Sequence, residues 1–180
     1  MKRGKIIFLN GVTSTGKTTI AKEIQRTAAE NFYYVSNDVF YGVEAQIYNP
    51  RFYVDGEQEK YMAEAVVLLY HFAKILADQG TNVVIDGMFH ETDEYIKLHG
   101  KTNYGSMLSI LSGLPVLMVE VYCSLEECRR RNIARGDRGE NQSEEQHAIM
   151  NKHIRYDFSV DTSIDSAEEC AAKILGELYR

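Results

Sequence analysis

The stretch from Ile6 to Thr19 constrains this chain more than any other. Ile6-Ile7-Phe8-Leu9 is a short continuous apolar run, as expected of a strand buried on both faces. Gly11-Val12-Thr13-Ser14-Thr15-Gly16-Lys17-Thr18 then fits G-x-x-x-x-G-K-[ST] at every fixed position. Ile20, Ala21, Ile24 and Ala28 follow at helical spacing, so the pattern lies between a strand and a helix, the context its chemistry needs. Glycines let the backbone curl until successive N–H groups point at phosphate oxygens. The helix N-terminus adds the positive end of its dipole. Lys17 would reach the β- and γ-phosphates and the Thr18 hydroxyl would ligate Mg²⁺, with Thr19 closing the binding segment.

The rest of the chain alternates in the same way. Tyr33–Val35, Val83–Ile85 and Val116–Val121 read as strands, and Phe158-Ser159-Val160 as a weaker one. A helix is predicted over 57–79, with Tyr61, Ala65, Leu68, Leu69, Phe72, Ile75 and Leu76 on its apolar stripe and Gly80 ending it. Three later helices are signalled by capping boxes: Ser124 with Glu127, Ser143 with Gln146, and Ser166 with Glu169. Strands alternating with helices predict an α/β fold, a parallel sheet covered on both faces. At 180 residues without a linker or repeat, one domain over residues 1–180 is expected.

Charge narrows the partners. With 20 Lys+Arg against 26 Asp+Glu the net charge is −6, which argues against a general nucleic-acid binder. The apolar run behind Lys2, Arg3 and Lys5 is too short for a signal peptide or a membrane span, so no membrane partner is expected. Cys123, Cys128 and Cys170 show no C-x-x-C spacing and support neither a disulfide framework nor a zinc site. Buried thiols in a reducing, cytoplasmic compartment are the expectation.

A phosphate loop does not by itself choose a reaction. The guanine-reading motif Asn-Lys-x-Asp is absent, because Asn151-Lys152 is followed by His153-Ile154. Asp38 sits just beyond the second strand, where ligands of open α/β sheets bind. It could take the proton of an acceptor hydroxyl, or simply cap a helix beginning at Val39. Asp86 ends the third strand as a carboxylate near a magnesium ion would, or as a turn residue before Gly87. Arg131 and Arg135 are i,i+4 neighbours on one helix, and Arg138 continues into a polar loop. Guanidinium forks suit phosphate, so Arg135 and Arg138 are candidate phosphate ligands, while Arg129 and Arg130 read as a solvated face pairing with Glu126 and Glu127. Phe32, Tyr34 and Phe40 read as core, and the other aromatics around Asp38 as walls of an acceptor pocket.

These residues together resemble the chloramphenicol phosphotransferase-like P-loop kinases. The resemblance spans nearly the whole chain: Leu9-Asn10-Gly11, Asn37-Asp38-Val39-Phe40, Asp86, Cys123 with the Arg-rich helix, and most specifically Arg135-Gly136-Asp137-Arg138, Gln146, Tyr156-Asp157 and Val160-Asp161-Thr162-Ser163. It implies a three-layer P-loop NTPase fold with a five-stranded parallel sheet of nucleoside-kinase type. It also implies ATP and Mg²⁺ as cofactors and transfer of the γ-phosphoryl group to the hydroxyl of a small molecule. Asp38 becomes the catalytic base. The resemblance further implies that Arg135 and Arg138 belong to a lid at about residues 135–145 and that Arg131 lies near the adenine, whereas the segment from Tyr41 to Glu57, which should shape the acceptor pocket, departs from the family pattern. A nucleoside-, shikimate- or adenylylsulfate-like acceptor, or a nucleotide-sensing protein without turnover, are the alternatives.

Overall fold

In the computed structural model, strand β1 (Ile6–Asn10) is buried at every position, which only the centre of a sheet covered on both faces allows. The structure describes residues 2–38, 57–89, 93–136, 139–150 and 152–180. Four further strands complete the sheet: β2 (Phe32–Ser36), β3 (Asn82–Gly87), β4 (Val116–Tyr122) and β5 (Phe158–Asp161). All pairings are parallel and the order is β2-β3-β1-β4-β5, so β1 lies between β3 and β4. Register carries Asn10 opposite Gly87 on one side and Glu120 on the other. The ends of five strands therefore meet at one edge.

Alternating side chains of the strands feed two apolar layers. Ile7, Leu9, Val84, Val119 and Val121 pack beneath α1 (Lys17–Thr27) and the C-terminal helix, in a cluster with Ile20, Ile24 and Ile174. Ile6, Phe8, Val83 and Ile85 face the other way, against α2 (Glu57–Asp78), α3 (Asp93–His99) and α4 (Asn103–Ile110). Phe8 stacks on Phe89 with ring centroids 4.5 Å apart. α5 (Leu125–Arg135) and α6 (Gln142–Ile149) follow β4, and α7 (Ala167–Leu178) ends the chain.

The five expected strands are present, each within one or two residues of its expected limits. Among the expected helices, α2 is present, but its stripe is corrected. Leu69 and Ala65 are buried as expected, whereas Leu68, Phe72 and Ile75 are 59%, 43% and 55% exposed. The sheet instead meets Ala63, Val66, Tyr70, Ala73 and Ala77. Small alanines let the helix approach the strands closely, and a hydrophobicity count undervalues them. Gly80, at φ 87°, ends the helix by taking a left-handed turn that lets Thr81 N–H reach Leu76 O.

Of the three expected capping boxes one is complete, one is half formed and one is absent. The half-formed one is at Ser124, whose N–H donates to Ser163 Oγ while the Glu127 carboxylate holds Arg130 and Arg131. Ser166 and Glu169 form the full reciprocal box at α7, and Ser124 accepts from Glu127 N–H at α5. Ser143 is no cap: α6 begins at Gln142 behind Asn141, and Ser143 is buried inside the helix with its hydroxyl turned to the loop after β1. α3 and α4 carried weak sequence signals, α4 relying on Thr102 accepting from Gly105 N–H at its start.

The corrected phase of α2 predicts an asymmetry. Leu69→Ala should cost about 2–5 kcal/mol through loss of packing and the cavity left behind. Ile75→Ser should stay within about 0.5 kcal/mol. Urea unfolding midpoints of the two variants at constant m would check this.

Candidate active site

A cavity of about 1070 Å³ opens where the strand ends converge. Its floor is the loop from Gly11 to Gly16. Gly11 is required by close approach, since a Cβ there would lie 2.5 Å from Val121 O and 2.9 Å from Thr15 Oγ1. Gly16, at φ 91°, starts α1 from the left-handed region. Thr15 Oγ1 donates to Val12 O at 3.0 Å and braces the curl from within.

Lys17 opens α1 and folds back over the loop, donating to Gly11 O at 2.8 Å and Val12 O at 2.9 Å. Its Nζ also lies 3.8 Å from Asp86 Oδ1. Thr18, next on α1, donates its hydroxyl to Asp86 Oδ2 at 2.6 Å. Asp86 thus sits where the sequence placed it, at the end of β3 with the Thr18 hydroxyl and the Lys17 ammonium converging on it. Tyr34 packs against the Ile7 layer of the core as expected, and in addition donates its hydroxyl to Asp86 Oδ2 at 3.1 Å and lines the cavity. Burial, with the Asp86 charge adding, raises its phenol pKa and keeps it a donor.

This donor set fits a hard divalent cation. Mg²⁺ keeps several waters and takes one or two protein oxygens together with substrate phosphates. Thr18 Oγ1 and Asp86 Oδ2 supply such a pair. No group of three or more His, Cys, Asp or Glu side chains that could hold a metal by themselves occurs among the described residues.

Asp38 lines the same cavity beyond β2, exposed, with Ser36, Asn37 and Met88 near it on the lining. Residues 37 and 38 are already helical, so Asp38 lies inside the first turn rather than in front of a helix at Val39. Met62 of α2 and Met88 after β3 also line the cavity, Met88 while packing on Val12, Cys123 and Cys128, and periodicity gives no reason to select either. Phe40 and the segment 41–56 lie outside the described residues.

Arg131 and Arg135 both line the cavity as well, while Arg138 lies outside the described residues. Arg131 is held on three sides. Its Nε donates to Glu127 at 2.8 Å, Nη1 to Ser14 O at 3.2 Å and Thr162 Oγ1 at 3.1 Å, and Nη2 to Thr162 O at 2.7 Å. Thr162 in turn donates to Thr15 O at 2.8 Å, tying the loop after β5 to the phosphate loop. Arg130 forks onto Glu127 at 2.7 and 2.6 Å and is 70% exposed, and Arg129 pairs with Glu140 at 3.5 Å. Both are solvated as expected, but only Arg130 pairs as expected with Glu127, Arg129 taking Glu140 instead, and Arg130 also reaches the cavity wall.

Beneath the loop, Val12 packs on Cys123 and Cys128. Hydrogen bonding from Cys128, and then from Thr162 and Ser163 with the Arg131 charge beside them, lowers the Cys123 thiol below its ordinary value, while Cys128 is raised by its Cys123 partner and by burial. All three cysteines are free and buried. Asn10, at the end of β1, accepts from Phe89 N–H at 2.8 Å and donates to Tyr156 Oη at 2.5 Å. Burial pushes the Tyr156 phenol up to about 12. Asn132, Ser143 and Gln146 bond to the phosphate loop, and sequence reasoning had singled out only Gln146 among them as part of a site.

A central parallel strand leading into this loop, with Lys17, Thr18 and Asp86 converging beside it, defines the fold of the P-loop kinases. Solved structures share it. The APS kinase of Mycobacterium tuberculosis, solved with AMPPNP and APS, superposes with a TM-score of 0.68 at 18% identity over 100% of both chains. Shikimate kinase of Acinetobacter baumannii, solved with shikimate, gives 0.65 at 15% identity over 99% of this chain and 93% of that one. The chain belongs to the chloramphenicol phosphotransferase-like protein family, whose model matches residues 4–179. A Mycobacterium tuberculosis protein described as an O-phosphotransferase is 28% identical over 193 residues, covering 97% of this chain and 82% of that protein.

Glu127 links two arginines, and the pairing has a pH signature. Arg130 first and Arg131 second hold its carboxyl at about 2, below the ordinary 4.5. A depressed folded-state pKa gives stability that is complete above the unfolded value and is lost as pH falls toward the folded one. Wild type should therefore exceed Glu127→Gln in melting temperature by a constant margin at neutral pH. That margin should shrink as pH drops through 4.5 toward 2. Thermal melts of both proteins across the acid range would measure it.

Proposed function

We propose that the protein is a single-domain, ATP- and Mg²⁺-dependent kinase that transfers a γ-phosphoryl group to the hydroxyl of a small molecule. The observation that carries this reading is the convergence of Lys17, Thr18 and Asp86 at the end of β1 and β3. Family membership supports phosphoryl transfer, and the position of Asp38 on the same cavity supports an alcohol acceptor.

Each residue has a task that follows from its place. Backbone N–H groups of the loop and the start of α1 bind phosphate oxygens. Lys17 releases the carbonyls of Gly11 and Val12 and turns its charge to the β- and γ-phosphates. Thr18 and Asp86 hold Mg²⁺, which supplies charge neutralisation at those phosphates. Arg131 offers its guanidinium face to the base, held in plane by Glu127 and Thr162. Asp38 orients the acceptor hydroxyl and takes its proton. The transition state is loose, so the proton moves late and positioning matters more than base strength. Arg135, with Arg138, stabilises charge on the group in flight. Chloramphenicol is the first acceptor to try, and other hydroxylated aromatic compounds come next.

Two variants test donor and acceptor ends separately. Lys17→Ala should fold as wild type yet lose most of the thermal stabilisation given by Mg·ATP, and equal stabilisation of both proteins would remove the phosphate-loop assignment. Asp38→Asn should keep that stabilisation and lose on the order of 10²-fold or more in turnover with any accepted alcohol. Wild-type turnover in Asp38→Asn would move the base elsewhere.

A further inference from the structure

The outer turn of the phosphate loop is gripped from outside the loop. Thr13 N–H donates to Gln146 Oε1 at 2.5 Å, and Thr13 O accepts from Ser143 Oγ at 3.1 Å. The Ser14 hydroxyl donates to Asn132 Oδ1 at 2.6 Å. Asn132 closes the network, its Nδ2 donating to Ser143 Oγ at 3.0 Å and Glu140 O at 3.2 Å. Asn132 and Ser143 are buried completely or nearly so. Every polar atom of the Thr13 peptide and the Ser14 side chain is thereby engaged by α5, α6 or the turn between them.

The grip falls on a strained residue. Ser14 has φ 62°, and among the described residues it is the one non-glycine with positive φ. Such a conformation costs free energy and persists where its surroundings over-determine it. The loop's own bonds cannot do so throughout the reaction. Two of them, from Lys17 to Gly11 O and Val12 O, must break when the ammonium turns to phosphate. The bonds to Thr13 O and from the Ser14 hydroxyl involve no group that phosphate binds, and Gln146 takes up one loop amide, that of Thr13, while leaving the others to the phosphates.

We propose that Asn132, Ser143 and Gln146 are positioning residues that hold Thr13–Ser14 in the shape that receives the terminal phosphate. They also keep the loop in register with α5, the helix that carries Arg131 and Arg135. The proposal rests on the kinase reading above and adds residues to it. None of the three is charged, so their contribution is geometric. On this proposal the start of α1 takes the phosphates nearer the nucleoside and the outer turn, at Thr13 and Ser14 on the same cavity, takes the last one. Loss of the grip should therefore discriminate between nucleotides by their terminal phosphate.

Gln146→Met removes the acceptor at similar length, and Ser143→Ala removes the bond to Thr13 O. Calorimetric titration with Mg·ADP and Mg·AMPPNP, beside melts without nucleotide, reads the effect. Gln146→Met, which loses one bond, should melt within about 2 °C of wild type, and Ser143→Ala, which loses the bonds to Thr13 O and from Asn132 Nδ2, within about 4 °C. AMPPNP affinity should fall about tenfold and ADP affinity less than about threefold, the scale of one lost hydrogen bond felt mainly at one phosphate. Equal loss for both nucleotides with a lowered melting temperature would make the residues merely structural and overturn the proposal. Unchanged or tighter AMPPNP binding would overturn it as well, since Gln146 would then be idle or would compete with nucleotide for the Thr13 amide. If Gln146→Met does not fold, Ser143→Ala decides alone. Wild type that binds neither nucleotide strikes down the kinase reading and this proposal with it. Variants matching a wild type that does bind strike down this proposal only.

Discussion

Parallel pairing of β1 with β3 on one side and β4 on the other places every group of the cavity. Parallel strands bring their C-terminal ends to one edge, so Asn10, Gly87 and Glu120 stand level and the loops that follow them share one mouth. Burial of β1 on both faces fixes that pairing, because a slip by one residue would exchange the Phe8 layer with the Leu9 layer. Asp86 meets Thr18 only through this register. The glycine at 87 belongs to the same constraint, since a Cβ there would press at 3.1 Å on the Phe8 ring.

The cavity is mixed in character. Lys17, Arg130, Arg131 and Arg135 gather along the loop and α5, and the lining also has Tyr34, Asn37, Asp38, Met62 and Met88. The lining thus combines four cations with the carboxylates of Asp38, Asp86 and Asp165 and with the apolar surface of Met62 and Met88.

Local signals carried much of this arrangement. The phosphate loop, the five strands, Asp86 and the Ser166 box each depend on residues close in the chain, so the sequence shows them directly. Other features depend on partners far away. Ser143 and Gln146 match a capping pattern by spacing, yet their hydrogen bonds go to Thr13, 130 and 133 residues distant. Tyr34 reads as core because it is aromatic and on a strand, but a buried phenol needs a partner, and Asp86 is 52 residues on. The 22-residue α2 is apolar in several directions, so periodicity alone could not choose its inward face. The role of Arg138 stands on resemblance, as that residue lies outside the described ones.

Asn10 has a consequence that concerns time rather than geometry. It precedes Gly11, and an Asn-Gly pair is among the most readily deamidated dipeptides, because the glycine nitrogen can attack the side-chain carbonyl. Here that carbonyl is occupied by Phe89 N–H, the amide nitrogen by Tyr156, and the residue is wholly buried. The attack needs a backbone turn that the end of β1 cannot make while it is paired with β3 and β4. Chemical ageing at this position is therefore confined to chains that have opened, and the resulting carboxylate, unable to donate to Tyr156 while ionised, would hinder their return.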